Sequence, residues 1–198
     1  MFSTGFPRTR QFFTIALIYA FCYGLTANLI TPVQQIFLSE ETLFASLMYL
    51  PHGVRVLSVM LYGWRAIPAL MAGNFLSVYL FAAPEVLERD LIQIVVPVTL
   101  ASSSGWIAFE IFRLFGKDYY ASENRSLHWR QIVLVGMLAS VVNSLGQSIL
   151  LGQVFALVDN SFVFLMFAVG DLLGLLVSLL VLMLVFRWLR RGTGTAQS

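Results

Sequence analysis

Apolar residues along this chain come in blocks of about 20, the length that crosses a bilayer as helix, without the alternation of a half-buried strand. Six blocks stand out: Gln11–Thr31, Leu43–Tyr62, Ala66–Ala83, Leu91–Arg113, Gln131–Phe155 and Phe162–Arg187. In lipid only helices and closed barrels satisfy their backbone groups, and these blocks lack the dyad repeat of barrel strands. The pattern predicts an all-α integral membrane protein, a bundle of about six transmembrane helices. They form a single domain over residues 1–191, followed by a short polar, disordered tail at 192–198. Connections are short, the longest being Leu114–Arg130, and leave no room for a soluble domain.

Composition agrees. Of the residues 59% are hydrophobic and 11% charged, where a soluble domain carries about 25% charged; mean hydropathy is +0.83. The few charges orient the chain. With both termini cytoplasmic, Arg8, Arg10, Arg65, Arg113, Lys117, Arg125, Arg130, Arg187, Arg190 and Arg191 fall inside. Arg89 alone falls outside, in the company of Glu40, Glu41, Glu85, Glu88, Asp90 and Asp159. This bias, with Trp64, Trp129 and Trp188 at the inner boundaries, is that of a multi-pass membrane protein with both termini in the cytoplasm. The net charge of +2 therefore reports orientation in a lipid bilayer and not nucleic-acid binding. The first block is too long for a signal core and no small-x-small cleavage site follows it, so it reads as a retained helix. The single cysteine, Cys22, has no ligand partner near it and reads as a small buried side chain.

Ionisable residues inside a span are expensive, and each is a candidate site residue. There are four: His52, Arg55, Glu110 and Asp171. Uncharged polar residues accompany them at Asn74, Ser102–Ser104, Asn143 and Gln147. Counting helical rise from the outer boundary puts Arg55 roughly 18 Å deep and Asp171 roughly 13 Å deep. With the reach of an arginine stem, an Arg55–Asp171 ion pair is the expected centre of the bundle. It serves either to lock the helices or to hold a ligand. His52 reads as a structural hydrogen-bonder. Glu110 stands one turn from Arg113 and is as well explained by a local helical pair. His128 lies in a loop, so no second histidine shares the membrane, and neither a metal nor a cofactor is expected.

Two local patterns concern the backbone. Pro51 and Gly53 flank His52 and predict a break within the second span, which frees carbonyls and amides to line protein or a wet cavity. Gly136, Ser140, Ser144, Ser148 and Gly152 recur at every fourth position, a ridge of small residues permitting close helix contact. Asn143 and Gln147 lie on the adjacent stripe and are placed to bond across to a neighbour. Gly170 and Gly174, flanking Asp171, repeat the device. The fifth and sixth spans are thus expected to pack together and turn Asp171 inward.

On these motifs the chain resembles the first family of bacterial membrane-associated sensor domains. "LPHGVRVLSVMLYGWRAIPALMAGNF" is similar to the family's proline-x-glycine break, its glycine-aromatic-arginine turn and its proline-containing next helix. "FAVGDLLGLLVSLLVLMLVFRWLRR" is similar to its closing helix. The positions carried over are Pro51, Gly53, Arg65, Pro68, Gly73, Gly170, Asp171 and Gly174. The resemblance implies a multi-helix sensory module, normally of about eight helices and fused to a kinase or cyclase output domain. With six spans and no fused output domain after the last one, a separate membrane or cytoplasmic protein is expected to receive any signal.

The leading expectation is a sensor-like protein that binds a small ligand in a polar pocket around Arg55, His52, Asn74, Asn143, Gln147 and Asp171. A small transporter or its substrate-binding subunit, and an accessory subunit of a larger membrane complex, are the alternatives. Catalysis is not expected: the sequence has no nucleophile–base pairing, no paired histidines on one helix face and no phosphate-binding glycine loop.

Overall fold

The computed structural model describes residues 8–37, 46–88, 90–122, 128–152 and 160–193. Glu40, Glu41, Arg89, Arg125, Asp159 and the ends of two expected spans (43–45 and 153–155) lie outside these residues, as does the tail from Gly194. Within them the chain is helical and has no strand. The elements are α1 (Arg8–Leu25), a π-helical stretch Thr26–Ile30, α2 (Thr31–Phe37), α3 (Leu50–Tyr62), a 3₁₀ turn Gly63–Ala66, α4 (Ile67–Phe81), α5 (Pro84–Leu87), α6 (Leu91–Leu114), α7 (Trp129–Gly152) and α8 (Asn160–Thr193). The helix thus holds through Thr193, beyond the 192 boundary expected for the tail.

Among the described residues five stretches, not six, are long and apolar enough to cross a membrane: Arg8–Ile36, Leu50–Phe81, Leu91–Leu114, Trp129–Ile149 and Phe164–Val185. The difference lies in the second and third expected spans, which form the single stretch Leu50–Phe81. Its helices α3 and α4 have 13 and 15 residues, about 20 and 22 Å of rise, each short of a hydrocarbon core of about 30 Å.

That stretch is folded back on itself. The Tyr23 ring meets Tyr49 edge-on at 6.1 Å and stacks on Phe81 at 6.2 Å, although a straight helix would hold those ends about 48 Å apart. The reversal is at Gly63, whose φ of +62° is open to glycine at little cost. Pro68 sits in the first turn of α4, where its missing N–H has no intrahelical partner to lose.

The return leg α4 packs closely on α1: a Cβ at Gly73 would press on the Ala16 carbonyl oxygen at 2.7 Å and Tyr19 at 2.9 Å. Helix α7 lies between α6 and α8, and α3 lies against α8 and α1. The apolar core, including Ile15, Val56, Val59, Met60, Ala66, Leu70, Phe109, Val135 and Leu175, fills the end of the bundle near the hairpin tip. The other half is polar inside.

The π-helical stretch has a local cause. Pro32 cannot donate a backbone hydrogen bond and its ring crowds the preceding turn; widening just upstream relieves this. Thr31 supports the wider turn by donating from its hydroxyl to the Thr26 carbonyl at 3.0 Å.

Candidate functional site

The chain enters α3 through a non-helical segment, Ser46–Tyr49, inserted among the helices. Backbone polar groups there need protein partners, and the amides of Leu47, Met48, Tyr49 and Leu50 each have one. Leu47 N–H donates to Gln34 Oε1 at 2.8 Å and Met48 N–H to Ser46 Oγ at 3.4 Å. Tyr49 N–H donates to the Gly170 carbonyl at 2.9 Å. Leu50 N–H, the first of α3, donates to Thr26 Oγ1 at 3.3 Å, while that hydroxyl donates to the Cys22 carbonyl at 3.0 Å. Thr26 therefore caps α3 from another helix.

Gly170 and Gly174 make the insertion possible. A Cβ at Gly170 would overlap the Ser46 carbonyl oxygen, and one at Gly174 the Tyr49 carbonyl oxygen. The same small-residue face continues to Ser178, against which Gly53 lies, and Ser178 Oγ donates to the Gly174 carbonyl at 2.7 Å. These glycines thus serve the entry of α3, not contact with α7. Pro51 occupies the first turn of α3. The expected break at Pro51–Gly53 is accordingly a helix start, and the irregular backbone precedes it.

Asp171, buried at 1% exposure, is aimed inward by α8 as expected, but its ion-pair partner is His52. His52 Nδ1 lies 3.3 Å from Asp171 Oδ2, an ion-pair contact without a hydrogen bond. The other ring nitrogen, Nε2, lies 3.1 Å from the Gly136 carbonyl oxygen. Asn143 Nδ2 donates to Asp171 Oδ2 at 2.8 Å. Three helices thus meet at one carboxylate.

Arg55 makes no ion pair with Asp171, and the expected pairing is corrected. His52 lies one turn nearer the start of α3 and reaches the carboxylate first. Arg55 Nη2 donates to Tyr19 Oη at 3.1 Å, and the guanidinium lies 5.9 Å from the Tyr19 ring centroid and 5.5 Å from that of Tyr49. Tyr19 and Tyr49 hydroxyls are themselves 3.2 Å apart. Ring faces attract cations but replace only part of a lost hydration shell. The side chain is 1% exposed, and its Nε and Nη1 have no hydrogen-bond partner.

Beside this cluster is a cavity of about 300 Å³. Its polar wall carries Arg55, Asn74, Asn143, Gln147 and Asp171, and its apolar wall Val78, Pro97, Val98 and Phe167. Thr26, Thr31, Ser46 and Tyr49 also border it, so the π-helical stretch and the inserted segment both shape its rim. Gln147 Nε2 donates to the Pro97 carbonyl at 3.2 Å, tying α7 to α6. His52 is buried behind the polar wall and does not line the cavity.

The α7 ridge faces α8 at Gly136 and Ser140. A Cβ at Gly136 would overlap the Leu175 side chain, and Ser140 Oγ donates to the Ala168 carbonyl at 3.0 Å. Ser144 and Ser148 are buried on the same helix. Glu110 lies apart from the cavity, 3.5 Å from Arg113 and accepting a 2.8 Å hydrogen bond from the Tyr120 hydroxyl. Among the described residues no three of His, Cys, Asp and Glu gather as metal ligands.

Sequence reading missed Thr26, Tyr19, Tyr49 and Gln34. The threonine five residues ahead of Thr31-Pro32 was a signal for a widened turn. The tyrosines carried none, because in an apolar block they read as ordinary interior or interfacial residues. Comparison with known family models, curated proteins and solved structures finds no match to this chain. Its geometry carries the functional reading.

Proposed function

We propose that the chain is a multi-pass protein of the bacterial inner membrane that binds a small polar ligand in this cavity and reports its occupancy to a separate protein. One observation carries the reading: a buried guanidinium and a buried carboxylate, unpaired with each other, border one cavity inside a bundle whose outer surface is apolar. Arg55 and Asp171 would have been cheaper as a neutral packing pair had the bundle needed only cohesion.

The membrane orientation rests on the same architecture. The hairpin Leu50–Phe81 returns to the side from which it starts, so the start of α1 and the end of α8 lie at the same end of the bundle. Arg65 at the hairpin tip and Arg113 at the end of α6 border a common cavity with Trp64. Positive residues gathered at one end mark it as cytoplasmic, and the ligand cavity then opens toward the outside.

A reporting role is supported by α8. Its first half holds Asp171 and cradles the inserted segment, and its second half runs to Arg187 and Trp188 with apolar residues exposed on successive positions from Leu180 to Val185. Ligand contact at Asp171 and Ser46–Tyr49 would bias the seating of that helix, the bistable element a sensor needs. The resemblance to membrane-associated sensor domains points the same way.

A transporter is the second reading, favoured by the irregular backbone at Ser46–Tyr49, a device of transport sites. Reconstituted protein separates the two. A solute that raises the thermal midpoint of the wild type without entering sealed vesicles supports the sensor. Uptake supports the transporter. If no small polar solute stabilises the wild type, the pocket reading falls.

A further inference from the structure

The charge and the unmet hydrogen bonds of the cavity point to its ligand. Nε2 of His52 faces a carbonyl oxygen, which only accepts, so that nitrogen carries a proton. Nδ1 faces a carboxylate oxygen that already accepts from Asn143. A bare lone pair there would repel a charged carboxylate, so one of the two partners carries a second proton. His52 and Asp171 together then carry no net charge. Among the described residues Asp171 is the one acid on the cavity wall, and Arg55, a buried cation, makes no ion pair with it.

Two further groups narrow the class. Arg55 Nε and Nη1 are unpartnered, and the planar guanidinium fork matches a carboxylate with its two coplanar oxygens. Asn143 spends its amide on Asp171, leaving Oδ1 buried without a donor. A small rotation of the amide would present it to an O–H group on the ligand. A single missing negative charge fits a monoanion, and the apolar wall of Val78, Pro97 and Phe167 fits a short carbon skeleton.

We infer that the cavity binds a small hydroxy-monocarboxylate, its acid group on Arg55 and its hydroxyl on Asn143. This rests on the ligand-binding reading proposed above. The flexible arginine stem brings the guanidinium to the ligand by a small turn of its terminal torsions.

The test uses the full chain in nanodiscs, with Cys22→Ser to remove the native thiol and Val78→Cys as a reporter on the cavity wall. Two methanethiosulfonates of similar size, one sulfonate-bearing and one trimethylammonium-bearing, are compared after correction for their rates with a free thiol. The expected result is faster modification by the anionic reagent, by about tenfold. Lactate should slow that modification about tenfold or more at saturation, and phosphate, alanine and glycerol should not. Arg55→Lys should keep the preference for the anionic reagent but lose protection by lactate.

Equal rates, or a faster cationic reagent, overturn the inference while leaving an open cavity in place. Protection by phosphate or alanine in place of lactate overturns the ligand class. No reaction with either reagent means that the cavity is closed, and the ligand-binding reading fails with it. The charge preference is read in a background that retains Arg55, so the decision does not depend on an arginine variant folding.

Discussion

The Thr26 hydroxyl accepts the Leu50 N–H at 3.3 Å across two helices. It closes the start of α3 from a separate element of the bundle. Removing the hydroxyl with Thr26→Val keeps the shape and leaves a buried N–H unmet, which costs about 1–3 kcal/mol. Thr26→Ser keeps the acceptor and should lose much less. Unfolding in mixed micelles would measure both; equal losses for Val and Ser would show that packing, not capping, is what Thr26 provides.

The ion pair at Asp171 gives a second expectation. His52 contacts Asp171 directly and Arg55 does not, so a double-mutant cycle of His52→Asn with Asp171→Asn should show coupling of roughly 0.5–3 kcal/mol. A cycle of Arg55→Gln with Asp171→Asn should give a smaller value. Larger coupling for the arginine pair would reinstate the pairing that helical depth alone suggests.

Depth arithmetic put Arg55 and Asp171 in one neighbourhood, and both border a cavity that Asn143, Gln147 and Asn74 also line. It could not choose between His52 and Arg55 as the partner, because one helical turn is within the uncertainty of a boundary read from hydropathy. Hydropathy also treats Leu43–Tyr62 as a full span, since the apolar residues of Ser46–Tyr49 look the same in a helix as in an irregular segment. What distinguishes them is long-range: Thr26, Gln34 and Gly170 receive the amides. The glycine pair around Asp171 was legible as a close-contact signal, but the sequence could not say whether another helix or a non-helical stretch of backbone used it.

That distinction is itself open to test. At Gly174 an added methyl meets the Tyr49 carbonyl, backbone that cannot yield without displacing the start of α3. At Gly146 it meets the flexible end of the Leu100 side chain. Both substitutions to alanine gain up to about 1 kcal/mol of helix propensity. Gly146→Ala should be near neutral once Leu100 shifts, whereas Gly174→Ala should destabilise by about 1–3 kcal/mol net of that gain. It should also weaken whatever ligand binding the cavity supports. Similar midpoints for the two variants would mean that Ser46–Tyr49 is seated by something other than the glycine face.

At the other end of the bundle, the Tyr120 ring stacks on Phe109 with centroids 4.7 Å apart, and Tyr120 donates its hydroxyl proton to Glu110. Burial and then the bond to Glu110 push the phenol well above its ordinary range. A group whose folded pKa is raised adds stability that is fully present below its unfolded pKa and lost as pH rises through the folded one. The wild type should therefore exceed Tyr120→Phe in stability near neutral pH, and the gap should narrow as pH climbs above about 10. The denaturation midpoints of the two proteins across that range provide the measurement. A gap that stays constant with pH would mean that the stacked ring, and not the hydroxyl, anchors the segment after α6 to the hairpin tip.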